Sequence, residues 1–563
     1  RGRETTGVAV NDSTARTGGG LVIGLLALTQ FLMTLDASVM NVSISALVED
    51  LDTSVTAIQG VITAYTLVMA AGMITGGKLG DLLGRRRALR IGLVVYACGS
   101  GLTALAPDVV VLLLGWSVLE GLGAALIMPT VTALIAGNFT GRARAGAYST
   151  IAAAAAVAVA LGPIIGGFVT AYYSWRWVFA AEVVIAAGIL LASRVIRDVP
   201  TDERPRLDLL GALLSAVGLG LVVLGVLQSG SWGWVRPRVA EGPDATPSLL
   251  GISAVTWLVV GGLLLLLAFV AWQRHRAGRG ASPLVDPSLF GNRQLTTGLS
   301  VLLMQYLVMM GMFFAMPLFL SLCLGLDAFD TGVRMLPLSL ALVVTAPAVP
   351  KLLPRASPRR VAQAGLLLML AASLLLAARL EDGADASITT LPFLLMGAGM
   401  GAMASQLGNV IVSSAPVERG SEVGGLQYTA QNLGSSLGTA LVGAVVISAL
   451  ATFTIEGIQA SPSLAEPTKQ SVTAALGSGV EFVSDADVEA ALTASGLPPA
   501  EREEIGDVYA VARLDALRNG MVALSIFVLL GLFLGARLPE RPLVDEAAGP
   551  VPGAEAAAPA RGP

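Results

Sequence analysis

The sequence predicts an all-α integral membrane protein of about fourteen spanning helices. Three observations carry this. Of 563 residues, 54% are hydrophobic and only 13% charged, whereas a soluble domain carries about 25% charge. Apolar runs recur along most of the chain at lengths near the ~20 residues a helix needs to cross ~30 Å of hydrocarbon. They are continuous rather than alternating, unlike the strands of a membrane barrel, and the mean hydropathy is +0.75.

Composition also removes several function classes. A net charge of -4 gives no argument for nucleic-acid binding. One His and two Cys, with Cys98 and Cys323 both inside apolar runs, leave no metal cluster or disulfide framework. No G-x-x-x-x-G-K-[ST] segment supports direct ATP hydrolysis. His275 lies in a basic loop without a paired nucleophile, so an embedded enzyme is unsupported. The 65 glycines suit close helix–helix approach in lipid. No segment reads as a cleaved leader.

In chain order, residues 1–18 are polar and expected to be disordered. Six spans follow near 20–46, 55–77, 88–106, 109–137, 144–172 and 177–196, within a bundle at 19–200. Two more, near 207–228 and 250–272, form a linker pair at 201–280. A second bundle at 281–540 holds spans near 295–321, 330–353, 361–379, 388–414, 422–450 and 517–537. Its acidic insertion, 451–516, is expected to carry short helices at 485–495 and 499–515. It reads first as a solvated hairpin linker, then as an external cap or a recruitment site for cations. The Ala/Pro-rich tail 541–563 is expected to be disordered.

Lys and Arg set the orientation. One assignment gathers Lys78 with Arg85–Arg87, Arg142 with Arg144, Arg194 to Arg206, Arg274 to Arg293 and Lys351 to Arg360 on one side. By the positive-inside rule that side is the cytoplasm, and both termini lie there.

The stretch Gly77–Arg87, GKLGDLLGRRR, places one Lys, one Asp and an Arg cluster in a very short loop between two apolar runs. It resembles the loop between helices 2 and 3 of the major facilitator superfamily, with Gly77, Gly80, Asp81, Gly84 and Arg85 matching. In that family the loop clasps neighbouring helix ends and releases them as two halves rock. Leu161–Gly167, LGPIIGG, resembles the antiporter motif of the fifth helix through Gly162, Pro163, Gly166 and Gly167, with Ala158 in place of its leading Gly. Pro163 removes a backbone donor and the glycines thin the helix, so this span can bend and pack closely. LDASVMN in the first span matches the family at Asp36 and Asn41, but Ser38 replaces Thr and Ser45 falls where Pro is usual.

Six spans, a pair and six more resemble the fourteen-helix drug:proton antiporter branch of that superfamily, over about residues 20–540. The resemblance implies a monomeric secondary transporter of the cell membrane, not an enzyme. It implies antibiotic or multidrug efflux, with small amphipathic or cationic substrates exchanged for protons and no other cofactor. A transporter of lipid or of an endogenous metabolite on the same fold is the alternative.

The chemistry of such exchange belongs to buried ionisable groups, which are costly in a bilayer and face a cavity or a partner. Three acids lie deep in apolar runs of the first half, Asp36, Glu120 and Glu182, and are the candidate proton carriers. Glu120 stands where the family's fourth helix has Gln, and Ser117 where it has a buried Arg. Glu182 replaces an Asn common in the sixth helix of relatives; its alternative is an acid near the helix end reaching water or Arg176. Candidate substrate contacts are Asn41, Gln305, Met309, Phe313, Gln406, Gln427 and Gln431, the last two sharing a helix face at i, i+4. Each polar position reads first as glue between helices and second as a ligand contact, and the Met/Phe positions read first as packing.

Overall fold

The computed structural model describes residues 12–139, 141–198, 207–238, 246–353, 355–381, 383–415, 419–476 and 481–540. The first half contains α1 (Gly19–Asp50), α2 (Val55–Leu83), α3 (Arg85–Ala104), α4 (Val109–Ile135), α5 (Gly146–Tyr172) and α6 (Arg176–Val195). A middle pair follows, α7 (Leu209–Trp232) and α8 (Ala254–Gly278). The second half contains α9 (Arg293–Cys323), α10 (Ala328–Leu352), α11 (Pro358–Arg379), α12 (Ala386–Val412) and α13 (Glu422–Ala460). Two short helices, α14 (Glu466–Leu476) and α15 (Asp485–Ala494), precede α16 (Pro499–Gly535). Among the described residues thirteen helices are long and apolar enough to cross a membrane. Arg-rich α3, packed among them, makes fourteen.

Small residues decide which helices touch, because lipid supplies no hydrophobic drive between them. A Cβ at Gly162 would overlap Ser38 of α1, and one at Gly167 would overlap the Ala328 carbonyl of α10. Gly332 meets the Pro163 carbonyl in the same way. The LGPIIGG segment therefore joins α5 to α1 within its own half and to α10 of the other. Along α2 and α13 the halves are tied by hydrogen bonds from Gln59 to Thr439 O (2.9 Å), from Ser436 to Thr63 O (3.0 Å) and from Thr429 to Ala70 O (3.4 Å). Ser321 donates to Ser45 across the halves at 2.9 Å, using the position where a family Pro is missing.

Four expectations need correction. The Gly77–Arg87 loop is no loop: α2 runs through Lys78 and Asp81 to Leu83, and Gly84 alone separates it from α3. Gly84 adopts φ 90°, a conformation open to glycine. Arg85 then pairs with Asp81 (3.4 Å) and donates to Ala133 O of α4 (2.9 Å), fastening two helix ends. Secondly, the helix leading into α1 begins at Asp12, inside the stretch expected to be disordered; 1–11 and the tail 541–563 lie outside the described residues.

Thirdly, the 451–516 insertion is packed rather than a solvated hairpin. Ile458, Leu464 and Ile505 form a small apolar core there. Arg513, 2% exposed, pairs with Asp485 and donates to the carbonyls of Leu322 (3.0 Å) and Val483 (2.8 Å), pinning the segment to the end of α9. Fourthly, the short helix expected at 499–515 is the start of α16, just as α13 runs on to Ala460.

The middle pair is held at the Arg-rich face by Asp208. Its carboxylate caps α7 at Gly211 N (3.0 Å) and accepts from Trp272 (3.0 Å) and Gln273 (2.8 Å) of α8, with Arg276 at 3.6 Å. Burial pushes this acid up, but those donors and the Arg276 charge outweigh it and hold it below the ordinary carboxylate range. A depressed carboxylate stabilises the fold above its unfolded value and loses that contribution as pH falls through the folded one. Asp208→Asn is therefore expected to cost about 1–3 kcal/mol at neutral pH. Thermal melting in detergent should show that deficit shrinking as the buffer is acidified; a deficit independent of pH would contradict the assignment.

Candidate functional site

The three acids of the first half, on α1, α4 and α6, meet in one place. One carboxylate oxygen from each of Asp36, Glu120 and Glu182 lies within 4.8 Å of the other two, and all three residues are at most 1% exposed. Local backbone shape makes this possible. Residues Leu113–Glu120 of α4 form a π-helical turn, and the widened turn buries Trp116, Ser117 and Glu120 together; such turns recur at functional sites. Gly99 of α3 lets that turn approach, since a Cβ there would lie 2.6 Å from Glu120 N and 2.7 Å from its Cγ.

The acids are unequally satisfied. Trp116 Nε1 donates to Asp36 Oδ1 at 3.0 Å, leaving Oδ2 without a partner. Tyr96 and Ser100 donate to Glu182 Oε2 at 2.8 and 2.9 Å, leaving Oε1. Neither oxygen of Glu120 has a hydrogen-bond partner. The nearby Ser100 and Thr103 hydroxyls spend their single protons elsewhere, on Glu182 and on Gly99 O. No ion pair among the described residues involves the three acids. Two unit charges within 4.8 Å repel by roughly 3 kcal/mol or more at an effective dielectric of 20. The cluster therefore cannot hold three negative charges without taking up positive charge.

Its walls are aromatic. Tyr65 stacks on Trp116 at 5.3 Å, and Phe179 meets Trp116 edge-on at 5.9 Å. Ser117, at the family's Arg position, donates to Val61 O at 2.7 Å and bonds α4 to α2 instead of bringing a charge. Arg176 is not a partner of Glu182: it pairs with Asp50 and donates to Ala106 O at 2.8 Å.

The proposed substrate contacts do not join this cluster. Asn41 and Gln305 are buried and donate to helix carbonyls, Ala37 O (3.0 Å) and Met400 O (3.3 Å), while their own side-chain oxygens go unpaired. Met309 and Phe313 lie in the closed apolar core, on α9. Gln406, Gln427 and Gln431 are half-buried, and beside the last two Tyr428 donates to Gln30 of the other half at 3.3 Å. Sequence reasoning missed Tyr96, Ser100 and Gly99. The i, i+4 spacing of Tyr96 and Ser100 is the one signal that could have found them.

Gly99→Ala is expected to destabilise the chain by about 1–3 kcal/mol through overpacking against Glu120. Gly101→Ala, whose nearest neighbour is Val183 Cγ2 at 3.8 Å, should be close to neutral. Equal melting temperatures for the two variants would contradict the packing described.

Comparison with known proteins agrees with this architecture. Residues 26–439 match the family described as Major Facilitator Superfamily. The puromycin resistance protein pur8 of Streptomyces alboniger is 32% identical over 77% of this chain and 82% of its own. The cephamycin export protein CmcT of Amycolatopsis lactamdurans is 32% identical over 82% and 90%. A bacterial homologue of the human lysosomal transporter Spinster, inward-facing and unoccupied, shares the fold at 16% identity, covering 92% of this chain and 97% of its own with a TM-score of 0.57. The chain is a transporter, not an enzyme, and it belongs to the major facilitator superfamily.

Proposed function

We propose that this chain is an antiporter of the cell membrane that exports small amphipathic or cationic antibiotics in exchange for protons, its two halves alternating access. The observation that carries the reading is the uncompensated carboxylate cluster of Asp36, Glu120 and Glu182. Buried acids lacking a paired cation are costly in a bilayer, and proton uptake relieves that cost. The named activities of the relatives, puromycin resistance and cephamycin export, support the direction and the class of cargo. The Lys/Arg bias supports a cytoplasmic location for both termini.

In this reading protons enter the cluster when it communicates with the acidic side and leave when it faces the cytoplasm. The energy is adequate: one unit charge moved down 100 mV supplies about 2.3 kcal/mol, and a pH gradient adds to it. The cluster lies within the first half, so protonation acts on substrate through helix position rather than by direct contact. Asp36 shares α1 with Ser38, whose hydroxyl points to Ala158 O of α5 at 3.3 Å, and α5 carries the glycines that touch α10 of the other half.

The test is dye transport by the reconstituted full chain in vesicles with an imposed pH gradient. The native protein should concentrate dye against its gradient, and an uncoupler should abolish that. Asp36→Asn should lose gradient-driven transport while still exchanging dye downhill. Uphill transport that ignores the pH gradient and survives Asp36→Asn would refute the proposal.

A further inference from the structure

We infer that the Asp36, Glu120 and Glu182 cluster is also a binding site for a single hard divalent cation of calcium size. The inference uses the cluster's geometry and does not depend on proton exchange. All donors here are oxygens, which select hard cations over zinc or copper. The chain's one His, His275, lies in the last turn of α8 rather than in the basic loop expected from the sequence, and not in the cluster. The three carboxylate oxygens lie within 4.8 Å of one another, the span set by metal–oxygen bonds of about 2.3–2.6 Å. Four oxygens await a partner: Asp36 Oδ2, Glu182 Oε1 and both oxygens of Glu120. These open oxygens can supply part of the six to eight that calcium takes, the remainder being left to water.

Size and charge narrow the choice. Buried Trp116, Tyr65 and Phe179 close around the acids, and Gly99 admits Glu120 only because it lacks a side chain. Magnesium demands near-ideal octahedral geometry, which carboxylates fixed on three separate helices do not readily supply, whereas calcium accepts irregular geometry. Three carboxylates with no Lys or Arg paired to them are better balanced by two positive charges than by one.

Equilibrium dialysis of the purified full chain with radioactive calcium at pH 7.5 tests this. One calcium per chain is expected, undisturbed by equimolar magnesium. Glu120→Gln should weaken binding by about tenfold or more, since affinity follows the number of charged ligands. Glu456→Gln with Asp507→Asn, which alters the acidic groove beside α16, should leave binding unchanged. Gel filtration and circular dichroism identify folded variants, and Asp36→Asn replaces Glu120→Gln if the latter fails. No calcium on the native chain, equal displacement by magnesium, or full binding in the folded Glu120→Gln or Asp36→Asn variant overturns the inference. Absence of calcium would leave proton-driven transport standing; calcium binding in a chain indifferent to the pH gradient would do the reverse.

Discussion

A carboxylate inside a bilayer has no bulk water to answer its charge, and this chain places three of them side by side. Repulsion among Asp36, Glu120 and Glu182, roughly 3 kcal/mol or more per ionised pair at an effective dielectric of 20, is a large fraction of the 5–15 kcal/mol that holds a typical protein folded. Three nearby donors partly relieve it. Trp116 answers one oxygen of Asp36, Tyr96 and Ser100 answer one of Glu182, and both oxygens of Glu120 are left without a partner. In the proposed exchange, the site's state of charge would set how tightly α1, α4 and α6 draw together.

That tension reaches the other half through close backbone contacts. Ser38, next to Gly162, lies only two residues from Asp36, and Gly167 and Gly332 seat α5 directly on α10. Packed interfaces of this kind have discrete arrangements rather than a continuum, which lets a small change at one site move a large body. At the Arg-rich face, Arg85 and Asp81 fasten α2 to α4, and Lys78 donates to Pro283 O at 2.9 Å beside the second bundle. On the opposite face Arg513 anchors the acidic segment to the end of α9. The Arg85 and Arg513 contacts each tie helices within one half, at opposite ends of the bundle.

Much of this was legible in the sequence, for physical reasons. Hydrophobic length fixed the spans, since lipid imposes one thickness on every helix. The acids were legible one by one, because each interrupts an apolar run. Their meeting was not: positions 36, 120 and 182 carry no mark of proximity, and the π-helical turn and Gly99 that bring Glu120 inward are consequences of packing. Helix ends were misjudged where polar residues continue a helix. Lys78 and Asp81 do so at the end of α2, and residues 499–515 at the start of α16. The insertion looked solvated because its sequence is acidic, while Ile458, Leu464 and Ile505 form a core within it and Arg513 anchors it. The glutamines of the second half remain the least legible, since a hydrogen-bonding side chain that joins helices and one that greets a ligand look alike in sequence.

The central claim is that these three acids form one shared site for positive charge. Infrared difference spectroscopy of the purified chain, titrated with acid in a lipid film, addresses it directly through the carboxyl stretching band. The account predicts a component of that band that appears and disappears with pH, is altered by Glu120→Gln even in the contributions of Asp36 and Glu182, and is missing, against the background of the chain's other carboxyls, when all three are replaced by amides. A native spectrum identical to that of the triple replacement would contradict it.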